Sequence, residues 1–355
     1  MKTPKGERKI GPGHPCFIIA EMSGNHNQSF EMAVEIIKAA AESGADAIKL
    51  QTYTPDSMTI DCKKDWFLVA GNDNPDVWKG KYLYNLYETA YTPRVWHSKL
   101  KKIAEDLGLV FFSTPFDPDA VDYLETLGVP CYKVASYEAT DTPLLRRIAK
   151  TKKPVIISMG FASKKEVKEA IGTLRSNGSG CVAVLYCVTA YTSKPVLEHS
   201  NLRTMLDIKD EFNVVTGFSD NNGGIEIPLQ AVLMGASIVE KHFSVSRGNG
   251  GVDEDFSVDP KEFKEFVDSI RRAEKIMGQV HYGTQSTAEE YNKRFRRSIF
   301  VITEIKKGDK FDSKNIRVIR PNFGLAPKYF DEVIDKTATQ DIERGTPLDW
   351  SMVKK

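Results

Sequence analysis

At 355 residues with 49 basic and 48 acidic side chains, the chain can form one large domain and a small one, and its near-neutral balance gives no field that would draw it to nucleic acid or to an anionic membrane. No apolar run approaches the roughly 18 residues of a membrane span, and the basic opening MKTPKGERKIGPGHP leads only into the short CFIIA, which is no secretory signal. Five cysteines at scattered spacings, with no CxxC pair, suit neither a disulfide framework nor a zinc site, so a soluble cytoplasmic protein with free thiols is expected.

In chain order, FIIAE (17–21) is the first predicted strand, and FEMAVEIIKAAAESG (30–44) follows as an amphipathic helix ending in glycine. The β-branched and aromatic runs AIKLQT (47–52), VFFST (110–114), CYKVAS (131–136) and VIISMG (155–160) come next. A helix over KEVKEAIGTLRSNG (165–178) leads to three more strands, VAVLYC (182–187), VVTGFS (214–219) and SIVEKHFS (237–244). Most of these runs are nearly continuous in apolar residues, as in a parallel sheet buried on both faces. Eight strands alternating with helices over about 250 residues predict a (β/α)8 TIM barrel. A doubly wound open sheet is the competing architecture, but no GxGxxG follows the first strand. The barrel is assigned to 1–280 and the polar stretch HYGTQSTAEEYNKRFR (281–296) to a linker. Residues 297–355, with turns at Lys307-Gly308 and Arg344-Gly345, are assigned to a small β-rich domain.

Barrel chemistry sits at the C-terminal ends of the strands. Those ends carry Glu21; Lys49 and Gln51; Ser113 and Thr114; Lys133, Ser136 and Glu138; Ser158; Thr189 and Tyr191; Ser219 and Asp220; and Lys241 and His242. Each alone has an ordinary explanation, a serine as a helix cap or a lysine as a solvated side chain. Their convergence on one mouth carries the weight. Two lysines inside apolar strands, Lys49 and Lys133, are costly unless an anion pairs with them. Hydroxyls beside them complete a cradle for a phosphate or carboxylate, so the site is expected to bind a small phosphorylated acid.

FIIAEMSGNHNQSFEMA, GADAIKLQTY, FFSTPFD, YKVASYE, GFSD and VEKHF, in order through the barrel, resemble the sialic acid (nonulosonic acid) synthase family. YNLYETAYTPRVWHSKL (84–100) and SRGNGGVDEDFSVDP look most like its pseudaminic acid branch, and the C-terminal part is similar to the antifreeze-like (SAF, β-clip) domain of such synthases. The resemblance implies a phosphoenolpyruvate-dependent enzyme of surface-glycan biosynthesis. Carbon 3 of phosphoenolpyruvate attacks the open-chain aldehyde of an N-acylated hexose, of the 2,4-diacetamido-trideoxy kind; water adds at carbon 2, and the tetrahedral intermediate loses phosphate to leave a nine-carbon 2-keto acid. It also implies that Lys49, Thr114, Lys133, Ser136, Ser158 and Ser219 hold phosphoenolpyruvate. Glu21, Glu138 and Lys49 are the implied catalytic groups, Glu21 positioning or deprotonating the water. Gln51, Tyr191, Asp253 and Arg320 are the implied sugar contacts. His242 is an implied ligand of a divalent metal (Mn²⁺ or Mg²⁺, with Co²⁺ a further candidate) that polarises the aldehyde.

The chain departs from the family where a second metal-binding histidine is usual, in SDH; here FSDNNGG places Asn221. An amide oxygen ligates a hard cation but is a poor ligand for softer metals. NHN (25–27) also follows the family pattern, and a turn using asparagine chemistry accounts for it equally. The alternatives are an N-acetylneuraminate or legionaminic acid synthase, which share the chemistry and differ in the hexosamine, and a non-catalytic sugar-phosphate-binding homologue. By resemblance, the small domain covers the barrel mouth of the other subunit of a domain-swapped homodimer, and Arg320 in IRPNFG (319–324) reaches the acylamino group in trans.

Overall fold

The computed structural model describes residues 1–69, 75, 77–248 and 250–354. The chain divides into two compact units, Met1–Gly278 and Gln279–Lys355. The first is a closed barrel of eight parallel strands: β1 (Phe17–Glu21), β2 (Ala47–Thr52), β3 (Val110–Pro115), β4 (Tyr132–Val134), β5 (Val155–Met159), β6 (Val182–Val188), β7 (Val215–Asp220) and β8 (Ile238–His242). β8 pairs back onto β1, with His242 opposite Glu21. Every predicted strand is present, trimmed or extended by a residue or two where the apolar run outlasts the ladder.

Because both faces are buried, each strand feeds two apolar layers. Ile18, Ile48, Phe111, Val134, Ile157, Val184 and Val239 pack outward among the helices. Phe17, Ile19, Ala47, Phe112, Ile156, Leu185 and Ile238 fill the barrel. The interior is a packed plug, and the positions one pleat above it form the floor of the site. Gly217 is required in that plug: a Cβ there would stand 2.1 Å from the Ile238 carbonyl oxygen and 2.7 Å from Leu185 Cδ2.

The helix over Phe30–Glu42 starts at Ser29, whose hydroxyl accepts from Met32 N, and the chain turns out of it through Gly44 at φ +87°. Ser163 and Asp259 cap the helices Lys164–Ser176 and Pro260–Met277 with reciprocal capping boxes. At the end of the barrel away from the strand C-termini, Asp46 accepts from Arg8, from Arg271 Nη2 (2.8 Å) and from Ile18 N (2.9 Å), tying together segments remote in sequence.

In the second unit, strands β9 (Ser298–Val301) and β10 (Ile316–Ile319) pair antiparallel around Ile299, Val301, Phe311, Ile316 and Leu348. Gly308 and Gly345 turn at φ +91° and +89°, as the Lys-Gly and Arg-Gly pairs predict. The stretch 281–296, read as a linker, contains a short helix, Thr287–Asn292, and belongs to this unit.

Candidate active site

The strand C-termini open into a cavity of about 440 Å³. Its floor consists of side chains one pleat above the plug, and four carry charge: Glu21, Lys49, Lys133 and Glu240, each 4 % exposed or less. Lys49 Nζ lies 2.8 Å from Glu21 Oε2 and 3.5 Å from Glu240 Oε1, and Lys133 Nζ is also 3.5 Å from Glu240 Oε1. Hydroxyls complete the coordination of both ammoniums: Lys49 donates to Thr114 Oγ1 (3.2 Å) and Lys133 to Ser158 Oγ (2.6 Å). Two ammoniums thus face two carboxylates, with Ser219 Oγ donating to Glu240 Oε1 at 3.2 Å.

The environment separates the two acids. Burial pushes Glu21 up, with Glu240 adding to it against the pull of Lys49. For Glu240 the same burial is outweighed by Lys133 and Lys49 together, and its carboxyl is held below the usual range. Glu21 is therefore the floor acid that takes up a proton first. The lysines are set apart likewise. Burial lowers Lys133; on Lys49 it is overcome by Glu21 and Glu240, so that ammonium is held above its ordinary value.

From Glu21 a hydrogen-bonded chain climbs the wall. Gln51 Nε2 donates to Glu21 Oε1 (2.9 Å) and to Ser23 Oγ (3.0 Å), and the Ser23 hydroxyl donates to Asp253 Oδ2. Burial pushes Asp253 up to about 6, against the Ser23 bond. Across the mouth, the 3-10 turn Ser136–Glu138 after β4 places Glu138 with a buried Oε2 that has no partner, and burial raises this acid to about 7. It is poised for proton transfer near neutral pH. Tyr191, at φ +48°, packs edge-on against Phe256 and His242. Opposite the charged floor, the excursion between β2 and β3 supplies an apolar wall of Tyr53, Met58, Leu83, Leu86, Tyr87 and Ala90.

Of the residues expected at the site, Glu21, Lys49, Gln51, Lys133, Ser136, Glu138, Ser158, Tyr191, Ser219, Asn221, His242 and Asp253 line this one cavity. Thr114 is fully buried beneath it, behind Lys49. Arg320 is exposed on the second unit. Three other strand-end residues point away. Ser113 bonds Thr52 (2.7 Å) behind the sheet, and Asp220 and Lys241 pair with each other at 2.8 Å, because adjacent residues on a strand face opposite sides. In NHN, Asn25 donates to Phe243 O (3.1 Å) and Ser257 Oγ (2.9 Å), while His26 bonds Thr92 (3.0 Å), so both support the walls. The sequence reading missed Glu240, although an acid two residues before His242 shares its face. It also missed Cys187, whose sulfur accepts from Asn221 Nδ2 at 3.3 Å.

Among the described residues, no three His, Cys, Asp or Glu side chains gather as a metal site. His242 offers one ligand: its Nδ1 is buried without a partner, and burial, with Lys49 adding, pushes the ring down to about 3, so it is neutral. One imidazole and the Asn221 amide fit a hard cation that keeps much of its water, and do not fit a closed protein cage.

The chain matches the NeuB family over residues 36–282 and the SAF domain over 296–354. It is 40% identical over 332 residues to the pseudaminic acid synthase of Campylobacter jejuni subsp. jejuni serotype O:23/36 (strain 81-176), covering 94% of this chain and 95% of that one. The pseudaminic acid synthase of Helicobacter pylori (strain ATCC 700392 / 26695) is 39% identical over 334 residues, covering 94% and 96%. Among solved structures, the N-acetylneuraminic acid (sialic acid) synthetase from Leptospira borgpetersenii serovar Hardjo-bovis is similar with a TM-score of 0.71 at 32% identity, covering 81% of this chain and 94% of that one.

Proposed function

The chain belongs to the NeuB family, and from that premise we propose that it joins phosphoenolpyruvate to a 2,4-diacetamido-trideoxy hexose, giving a pseudaminic acid-type nonulosonic acid and phosphate. The observation that carries the reading is the pair of buried ammoniums, Lys49 and Lys133, sharing Glu240 at 3.5 Å under an open cavity. The phosphate and carboxylate of phosphoenolpyruvate compete with Glu21 and Glu240 for these ammoniums, in a buried setting that strengthens each charge-assisted contact. Lys49 and Lys133, with Ser136, Ser158 and Ser219 beside them and Thr114 behind, hold phosphoenolpyruvate. Glu21 orients the water that adds at carbon 2 and takes its proton. Glu138 exchanges a proton with the oxygen of the new hydroxyl.

Gln51, Tyr191 and Asp253 face the sugar. The apolar wall from Tyr53 to Ala90 suits two acyl methyls and a deoxy carbon better than a fully hydroxylated hexose, which supports the pseudaminic acid branch. His242 and Asn221 would hold a divalent cation such as Mn²⁺ or Mg²⁺. Bound there, it would supply Lewis-acid polarisation of the aldehyde. The free cysteines support a reducing cytoplasm as the compartment.

Phosphate release from phosphoenolpyruvate with a panel of acylamino hexoses, with and without Mn²⁺, tests the reading. Turnover with the trideoxy sugar is expected; release with N-acetylmannosamine alone would assign the sialic acid reaction instead, and no sugar-dependent release would leave a binding protein. A homodimer with Arg320 acting in trans completes the proposal. Mixing Lys133→Ala with Arg320→Ala subunits is expected to restore part of the activity, and subunit exchange without recovery would exclude the trans arrangement.

A further inference from the structure

Lys241 and Asp220 are neighbours in register across β8 and β7 and point away from the cavity that Ser219, Glu240 and His242 face. Both are shut off from solvent, at 0% and 1% exposure. Lys241 Nζ lies 2.8 Å from Asp220 Oδ2 and also donates to the Asn222 backbone carbonyl. Asp220 Oδ1 in turn accepts from Asn222 N (3.2 Å) and Asn222 Nδ2 (3.3 Å). Between these tied points sits Asn221, which faces the cavity and donates to Cys187 Sγ. Just beyond, Gly223 N donates to Thr192 O at 2.8 Å, and a Cβ on Gly223 would stand 2.3 Å from Ser193 O. The turn after β7 is thus pinned from behind by the ion pair and pressed in front against the segment that follows Tyr191.

Burying an ion pair costs several kcal/mol of lost hydration per ion, and apolar side chains of similar volume commonly hold a core as well or better. What they cannot supply is the set of directed bonds onto Asp220 and Asn222. We propose that Lys241 is a positioning residue, which together with Asp220 locks the turn after β7 so that Asn221 stays in the cavity wall over Cys187. The kinetic consequence rests on the active-site reading above; the structural one does not.

The test is the double variant D220N/K241M, which removes both charges at once and leaves no unpaired buried ion. It is expected to fold with a melting temperature close to wild type and to bind phosphoenolpyruvate with little change. Its kcat should fall about tenfold or more, the order expected when substrate-positioning groups are displaced. In the substrate-free protein, peptide-resolved alkylation of Cys187 should speed up about tenfold or more as the turn opens locally. The double variant D220N/K241Q, which also leaves no unpaired ion and keeps a neutral donor within reach of the Asn222 carbonyl, should move both readouts the same way by smaller factors, and it carries the test if D220N/K241M does not fold. Wild-type kcat and Cys187 protection in a folded variant would overturn the proposal. Phosphoenolpyruvate affinity falling in step with kcat would also overturn it, since that marks general loosening. If the wild-type protein turns over no sugar, the active-site reading fails, yet Cys187 protection still decides this one.

Discussion

Replacing Lys133 with Met removes one of the two buried ammoniums while keeping most of the side chain's volume. The group is 1% exposed, donates to Ser158 Oγ at 2.6 Å and sits 3.5 Å from Glu240. If it holds the phosphate or carboxylate of phosphoenolpyruvate, its loss removes a charge-assisted hydrogen bond worth about 1.5–3 kcal/mol. At about 1.4 kcal/mol per decade, that is a roughly 10- to 150-fold weaker Kd. Glu240→Gln provides the control of opposite sign. It frees both ammoniums from a competing carboxylate at 3.5 Å, so anion affinity should rise or hold, never fall. Calorimetric titration of phosphoenolpyruvate without sugar, with melting curves to confirm folding, measures both. A folded Lys133→Met protein whose Kd stays within about threefold of wild type, well short of the expected decade, would refute the anion cradle.

Glu138, half-buried with its pKa raised to about 7, favours the fold when protonated. That contribution is full below the unfolded value near 4.3 and is lost as pH rises through about 7. Glu138→Gln should therefore be more stable than wild type at pH 8 by about 1–3 kcal/mol and nearly equal at pH 4, read from denaturant midpoints; equal stability at both would contradict the raised value. Asp46→Ala removes the acceptor of Ile18 N and the carboxylate shared by Arg8 and Arg271, which keep the Cys16 carbonyl and, for Arg271, Glu274; it should cost about 2–4 kcal/mol of stability while leaving phosphoenolpyruvate affinity unchanged. His242→Ala should abolish metal-dependent turnover and Asn221→His should tighten Mn²⁺ binding in titrations of the substrate-free protein, because imidazole is the better ligand for that series; unchanged Mn²⁺ affinity in both would move the metal elsewhere.

The eight strands were legible because each is a short apolar run bounded by turn residues, and the two lysines stood out because an ammonium inside such a run needs a partner. Lys49 and Lys133 do meet partners on the floor, but only the closed barrel supplies them: Glu240 comes from β8, six strands after β2 and four after β4 along the chain, and closure of the ring brings it to two strands from β2 and across the floor from β4. The union of Arg8, Asp46 and Arg271 is likewise invisible until the barrel closes. Which member of a strand-end pair enters the site was also beyond the sequence. His242 faces the cavity and Lys241 does not; Ser219 does and Asp220 does not. On a strand with one wet face, alternating polarity reveals the inward residue. Here the plug inside and the helices outside are both apolar, so the run carries no phase, and the pleat's register in the closed barrel decides which side chains meet the substrate.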